Sequence, residues 1–238
     1  MTGWAPKRFW KAATAEAAPG GWEVRLDGRP LRTPAKAPLM LPTAALARAI
    51  AAEWNAQGAT VDPAAMPLTR AANSAIDKVT PGREEVVAML AAYGETDLLC
   101  HRAEAPEGLV RRQAEAWDPL LAWAAEALSA PLIPTVGVIG VPQPPESLAR
   151  LRAAVDALDP YELTAFHDLV ALSGSLVLAL AALRGQAPAE ALWQASRVDE
   201  GWQEELWGAD EEAARAAELK RRDFLQAMRF LGLLRAAR

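Results

Sequence analysis

The chain has 238 residues and a formal net charge of −5 at pH 7, and 52% of its residues are hydrophobic. A chain of this length buries a substantial core without disulfides. Its single cysteine, Cys100, excludes an intramolecular disulfide framework and is typical of a reducing compartment. The densest basic cluster, Lys220-Arg221-Arg222, is short and flanked by acids, so the composition gives no sign of nucleic-acid binding.

The most apolar segment, residues 169–183, is too short to cross a membrane. It is interrupted by Ser173-Gly174-Ser175, and a membrane span needs about 20 apolar residues. Residues 1–18 contain no continuous apolar run, so they do not form a secretory signal. We therefore expect a soluble protein that does not insert into a membrane.

The first predicted elements are short strands that form a small antiparallel sheet over residues 6–42. Residues 22–26 alternate apolar with charged side chains, which is typical of a half-buried strand. Asp27-Gly28 then favours a tight type I′ hairpin turn. The candidate strands are Lys7–Trp10, Trp22–Leu26, Arg29–Thr33 and Leu39–Leu41.

Helical periodicity begins at Thr43, which is a candidate N-cap, and Gly58 lies just past the end of the first helix. Pro119 falls inside a later helical pattern and should kink or split it near Trp117. Residues 131–141 are predicted to be extended. The further predicted helices cover residues 68–79, 80–94, 106–128, 146–158, 161–184, 189–206 and 210–235.

The change from period two to period 3.6 near Pro42 predicts an α+β fold. A small N-terminal antiparallel β unit is followed by a larger, mainly helical bundle. We place a β-rich domain at residues 1–42 and a helical domain at residues 43–238, with residues 43–80 as the connecting helices.

Three polar residues, Arg70, Asn73 and Asp77, lie off the apolar face of the helix that follows Pro67. Their spacing of three and four residues brings them close on one helix surface. They form either a polar functional site or a set of groups that pair with each other and with loop backbone. Because such polar partners are common on helices, the spacing favours the structural interpretation.

The sequence gives little support for a metal site or for a catalytic thiol. It has two histidines, His101 and His167, and zinc sites need three or four convergent ligands. We therefore predict no metal site and no cofactor. Cys100 with a histidine could form a thiol nucleophile, but a lone cysteine in an apolar run is more often a buried hydrophobe.

An acid/indole run, residues 199–207, combines carboxylates with tryptophans near a helix end. Tryptophan is enriched at interface hot spots, and carboxylates can meet basic groups on a partner. Equally, the tryptophans could anchor the last helix while the acids face solvent. The candidate partner-binding residues are Asp199, Glu200, Trp202, Glu204, Glu205 and Trp207.

Six motifs in order along nearly the whole chain resemble the assembly chaperone for the α subunit of ATP synthase. Together they are far more specific than any one of them. They are KRFWK at Lys7, LDGRPLRTP at Leu26, MPLTRAANSAIDKV at Met66, TDLLCHRA at Thr96, WDPLLAW at Trp117 and DEGWQEELWG at Asp199.

The resemblance implies a chaperone, not an enzyme, that binds the newly made α subunit of the F1 sector. It would shield the surface that the β subunit later covers, and it would act in the cytoplasm of a bacterium or, for eukaryotic relatives, in the mitochondrial matrix. It also implies that an acid near the C-terminal run matters, which we carry over to Glu204 or Glu205. No small-molecule substrate and no nucleic acid are implied.

Two other classes remain as alternatives. One is a small thiol or hydrolytic enzyme that uses Cys100 with His101 or His167. The other is a structural subunit, which would co-purify with mature ATP synthase at fixed stoichiometry.

Overall fold

The computed structural model describes residues 7–137, 140–208 and 210–236. The strands are β1 (Ala13–Ala18), β2 (Gly21–Leu26), β3 (Arg29–Pro30), β4 (Met40–Leu41), β5 (His101–Arg102) and β6 (Thr135–Val136). The α-helices in these ranges are α1 (Ala44–Asn55), α2 (Pro67–Ser74), α3 (Arg83–Ala92), α4 (Glu107–Ala127), α5 (Pro145–Asp156), α6 (Pro160–Ser173), α7 (Leu176–Leu183), α8 (Ala189–Ala195), α9 (Val198–Trp207) and α10 (Glu211–Arg235).

An N-terminal antiparallel sheet followed by helices confirms the predicted α+β class. Two compact units divide the chain. The first runs to Arg83 and includes Asp159–Ala165 and the segment from Arg229 onward; the second comprises Glu84–Leu158 and Phe166–Met228. The domain boundary at residue 42 marks a change of sequence pattern and stays a prediction.

The sheet of the first unit is organised around β2, which pairs antiparallel with β1, β3 and β4. Asp27 and Gly28 join β2 to β3 with φ of 47° and 80°. Positive φ at both central residues is the type I′ geometry that the Asp-Gly dipeptide favours, so the predicted hairpin is confirmed.

The first predicted strand is wrong. Within Lys7–Trp10 only Lys7 makes a β-bridge, to Thr60. The segment is held irregularly because the Arg8 guanidinium donates to the carbonyls of Trp10 at 3.1 Å and Gln57 at 2.6 Å. The true first strand is β1, whose alanine-rich sequence has low intrinsic β propensity and is stabilised by its pairing with β2.

The core of the first unit lies where α1 packs on β1 and β2, with Val24, Leu46 and Ile50 fully buried. Helix α1 begins after Thr43, whose Oγ1 accepts a hydrogen bond from the Leu46 amide at 3.2 Å. The predicted N-cap is therefore confirmed.

The predicted helix over residues 161–184 is wrong, because it is broken into α6 and α7. Gly174 adopts φ of 72°, a left-handed conformation that ends α6. Ser175 then caps α7 by accepting the Leu178 amide at 2.9 Å. Every residue of α7 is buried, and the helix packs against α4 in the second unit. Among the described residues, no helix combines the length and apolarity needed to span a membrane.

Several helix boundaries also differ from the prediction. The helix over 189–206 is two helices, α8 and α9, because the chain leaves helical geometry at Arg197, where φ is −119°. Pro119 lies inside α4 without splitting it. Helix α3 begins at Arg83 rather than at Pro81. Of the segment predicted to be extended, Thr135–Val136 forms β6, and residues 138–139 lie outside the described residues.

Candidate partner-binding site

Helix α9 carries the acid/indole run and packs on α4 in the second unit. The packing is close where Trp202 faces Gly108. A Cβ atom at position 108 would lie 2.6 Å from Cη2 of Trp202, so the indole fits only against a glycine. The Arg112 guanidinium lies 5.0 Å from the centre of the Trp202 ring, within reach of a cation–π contact.

Glu205 is engaged by Arg112 in a two-pronged ion pair. Nη1 and Nη2 of Arg112 lie 2.7 and 2.8 Å from the two carboxylate oxygens. Hydrogen bonding to Arg112 holds the pKa of the Glu205 carboxyl below its ordinary value and raises the pKa of Arg112. This pair connects α9 to α4, so Glu205 has a structural partner within the chain.

Glu200 and Glu204 face the same cation. Nη1 of Arg197 lies 2.6 Å from Glu200, while Nη2 lies 3.9 Å from Glu204. Arg197 therefore mainly neutralises Glu200. Glu204 keeps most of its negative charge available to solvent.

Asp199 has a different kind of partner, because it accepts a hydrogen bond from a neutral amide. Nε2 of Gln113 donates to Oδ1 of Asp199 at 2.6 Å, and Oε1 of Gln113 accepts from the Ala103 amide at 2.8 Å. Gln113 is buried at 2% exposure, so this bridge fixes the carboxylate in position. An amide orients a carboxylate without cancelling its charge.

The C-terminal end of α9 exposes apolar surface. Trp207 is 79% exposed and Leu206 is 56% exposed. A cavity of about 460 Å³ opens beside them. We call it the α4–α9 cavity; its lining is His101, Arg102, Ala103, Pro106, Leu109, Gln113, Asp199, Trp202, Gln203, Leu206 and Trp207.

The cavity divides the six predicted residues into two groups. Asp199, Trp202 and Trp207 line it, whereas the acids Glu200, Glu204 and Glu205 do not. Sequence reasoning assigned no role to Gln113 or to Arg102, which also line it. Arg102 brings little net charge, because its Nη2 lies 2.7 Å from Asp118. The one clue was the TDLLCHRA motif, which ends at the cavity wall.

Asp97 of that motif explains how the wall is held. This fully buried residue accepts hydrogen bonds from the Leu99 amide at 3.0 Å and, at the start of α7, from the Val177 amide at 2.9 Å. Burial raises its pKa, and these hydrogen bonds act in the opposite direction. Asp97 thus ties the segment before β5 to the break between α6 and α7.

Cys100 and His167, two of the candidates for thiol chemistry, each have a pKa that is shifted by their surroundings. Cys100 is buried, and burial together with the nearby Asp97 raises the pKa of its thiol to about 12. Nδ1 of His167 lies 3.1 Å from its sequence neighbour Asp168, whose hydrogen bond raises the histidine pKa. Within the described ranges, no three histidine, cysteine or acidic residues are grouped for a metal ion.

The polar residues of α2 and of the π-turn that follows it (Ala75–Val79) have different surroundings in the first unit. Asp77 accepts hydrogen bonds from the Thr33 hydroxyl at 2.6 Å and from the Ala35 amide at 3.1 Å, so it holds a loop. Arg70 is exposed, and Oδ1 of Asn73 is buried without a hydrogen-bond partner among the described residues.

Comparison with known proteins gives a consistent result. A family model described as the ATP12 chaperone protein matches residues 7–125. The protein atp12, mitochondrial, of Schizosaccharomyces pombe is 28% identical over 219 residues, which cover 87% of this chain and 75% of that protein. The crystal structure of Atp12 from Paracoccus denitrificans superposes with a TM-score of 0.94 at 56% identity, covering 96% of this chain and 98% of that one.

An aspartate-to-lysine variant of the P. denitrificans protein matches equally well, with a TM-score of 0.94 at 55% identity and the same coverage. The chain belongs to the ATP12 chaperone family, the ATP synthase assembly family that its six motifs resemble.

Proposed function

We propose that this chain binds the unassembled α subunit of the ATP synthase F1 sector and keeps it from aggregating until the β subunit takes its place. A subunit with an uncovered assembly interface exposes apolar surface and associates non-specifically. A chaperone that covers this surface reversibly prevents that loss. Membership of the ATP12 family supports the proposal at the level of ATP synthase assembly.

The observation that carries the proposal is the α4–α9 cavity with Asp199 and Trp207 at its edge. All six residues of the acid/indole run remain candidates for the contact, and the geometry suggests different contributions. Asp199 and Trp207 would meet the client directly. Glu200, Glu205 and Trp202 would hold α9 in place through Arg197, Arg112 and Gly108.

Release would follow from competition. The chain has no phosphate-loop or dinucleotide motif to couple release to a nucleotide. The β subunit would displace the chaperone because it covers the same surface with a larger interface. We infer a cytoplasmic location for a bacterial protein of this kind, in keeping with a single buried thiol.

The test is a solubility assay with purified proteins. The isolated α subunit and the isolated β subunit are each diluted from denaturant with and without the chaperone. We expect the chaperone to keep the α subunit in the supernatant, to have no effect on β, and to be released when folded β is added. Equal protection of both subunits would show a general holdase and contradict the proposal.

The enzyme alternative makes an opposite prediction about Cys100. A thiol with a raised pKa and no exposed surface is a poor nucleophile at neutral pH. We expect Cys100→Ala to protect the α subunit as well as the wild type does in the same assay. If the variant folds and fails to protect, the thiol has a function and the alternative gains support.

A further inference from the structure

Charge is divided unevenly along the chain. Residues 1–83 contain eleven lysines and arginines against six acids, whereas the rest of the chain contains fourteen against twenty-four. These 83 residues make up most of the first compact unit. The acidic protein therefore has one basic part, and a basic surface attracts partners of negative charge.

Two of these positive charges, Arg32 and Lys36, lie in the loop that Asp77 binds. The Asp77 carboxylate binds Thr33 and Ala35 of the loop and thereby fixes the loop beside its own helix. Within the loop, Nη1 of Arg32 donates to the carbonyl of Lys36 at 2.8 Å. The loop cations Arg32 and Lys36 therefore lie on the side of the helix from which Asp77 projects, and Lys78 follows Asp77 directly.

Arg70 lies on α2, seven residues and about two helical turns before Asp77, and its side chain is exposed. We define the basic patch as Arg32, Lys36, Arg70 and Lys78, all of which are exposed. Within the described residues, the side chains of Lys36, Arg70 and Lys78 have no hydrogen bond or ion pair that would neutralise them. These three charges are available to a partner.

Asn73 lies between Arg70 and Asp77 in the sequence and has an unpaired polar atom. Its Oδ1 is buried without a partner among the described residues, although the residue as a whole is partly exposed. A buried unpaired amide oxygen is unfavourable, so rotation toward a bound donor stabilises it. The helix then widens into a π-turn over Ala75–Val79, and such π-bulges occur frequently at functional sites.

We propose that the basic patch binds an acidic segment of the client polypeptide. Guanidinium groups bind carboxylates in a two-pronged geometry, which suits Arg70 and Arg32. A polypeptide backbone also supplies the N–H donor that Asn73 lacks, whereas a phosphate group only accepts hydrogen bonds. The patch itself contains no aromatic side chain on which a nucleic-acid base could stack.

This inference rests on the proposed function, since the client is the same α subunit. The experiment compares association of the isolated α subunit with the wild type, Arg70→Glu and the control Lys220→Glu, which makes the same charge change at an exposed cation of α10. We expect Arg70→Glu to slow association about tenfold at low salt and to weaken its salt dependence. The control should associate at the wild-type rate.

A second arm does not depend on the α subunit. The wild type and Arg70→Gln, a milder variant for folding, are titrated with a glutamate-rich peptide, a duplex oligonucleotide and phosphatidylserine vesicles. We expect the peptide to bind the wild type most tightly and Arg70→Gln more weakly, which supports the patch even if the α subunit is not the client. Wild-type behaviour of both Arg70 variants would overturn the inference, as would tighter binding of the oligonucleotide or the vesicles.

Discussion

The segment formed by α2 and the π-turn after it differs from the acid/indole run on α9 in which charges are paired within the chain. In the first segment Asp77, in the π-turn, accepts hydrogen bonds from Thr33 and Ala35, while the cations Arg70 and Lys78 are exposed. Near α9 the cations Arg112 and Arg197 form ion pairs with Glu205 and Glu200 of the run.

Polar residues at helical spacing therefore do not reveal which of them are available for function. In both regions one charged group is bound by a partner that is distant in sequence, while another charged group has no ion-pair partner among the described residues. The first region offers cations and the second offers a carboxylate with an indole.

The largest expected effect comes from reversing the charge of Asp199, a carboxylate of the α4–α9 cavity that is hydrogen-bonded by a neutral amide. Asp199→Lys should reduce α-subunit affinity by roughly 2–5 kcal/mol if the carboxylate meets a desolvated cation of the client. The measurement is protection of the α subunit, paired with thermal unfolding of the variant. Glu212→Lys makes the same charge reversal at an exposed acid of α10 and should change neither quantity.

Asp199→Asn separates charge from structure, because asparagine still accepts the hydrogen bond from Gln113. A variant that folds normally and loses protection assigns the effect to the charge. If both Asp199 variants protected the α subunit as well as the wild type does, the client contact would lie elsewhere. The proposed difference between the two regions, exposed cations in one and an available carboxylate in the other, would then be wrong.

The next effect is expected at the exposed indole. Trp207→Ala should weaken binding by about 2 kcal/mol, as at an interface hot spot, and should leave the unfolding temperature unchanged because the side chain is 79% exposed. The matched variant is Trp202→Ala, whose indole packs on Gly108. It should lower the unfolding temperature, and the opposite pattern would reverse the roles assigned to the two tryptophans.

At Asp77, in the π-turn after α2, we expect a structural effect instead. Asp77→Ala removes the acceptor of the buried Thr33 hydroxyl and should lower the free energy of unfolding by about 1–3 kcal/mol. Denaturant unfolding measures this loss. Asp62→Ala, at an exposed acid whose Oδ1 accepts a local bond from Ala64, is a useful comparison and should cost less. A variant as stable as the wild type would show that the loop is held by other contacts.

The sequence contained the local signals of this fold. Asp27-Gly28 predicted its hairpin and Thr43 predicted its cap, because these signals act over a few residues. The break between α6 and α7 was missed even though Ser173-Gly174-Ser175 carries a stop and a cap signal. The apolar run on either side dominated the periodicity. Strand β1 gave no signal, because its stability depends on pairing with β2.

The sequence predicted where the candidate site lies but not which of its residues have partners within the chain. The run at 199–207 was found from its composition. The partners of its acids lie far away in the sequence: Gln113, which binds Asp199, is 86 residues away, and Arg112, which binds Glu205, is 93 residues away. Helical spacing carries no information about such distant contacts. The expectation that Glu204 or Glu205 is the important acid stays a prediction. Asp199 is the acid of the run that lines the α4–α9 cavity, so we expect it to be the better placed to contact a client.

The smallest effect is expected at Glu205, and it tests whether this acid is structural. Arg112 lowers the carboxyl pKa from its ordinary value near 4.5. A carboxyl with a lowered pKa in the folded state contributes stability above its unfolded pKa and loses that contribution as the pH falls through the folded pKa. The wild type should therefore unfold at a slightly higher temperature than Glu205→Gln at pH 7, and the difference should disappear as the pH falls through the lowered pKa of the folded state. Because both groups are exposed, salt should also reduce the difference at pH 7.

Glu205→Gln should still protect the α subunit. A variant with unchanged unfolding at every pH that no longer protects would make Glu205 a client contact and show that its charge, like that of Asp199, is used outside the molecule.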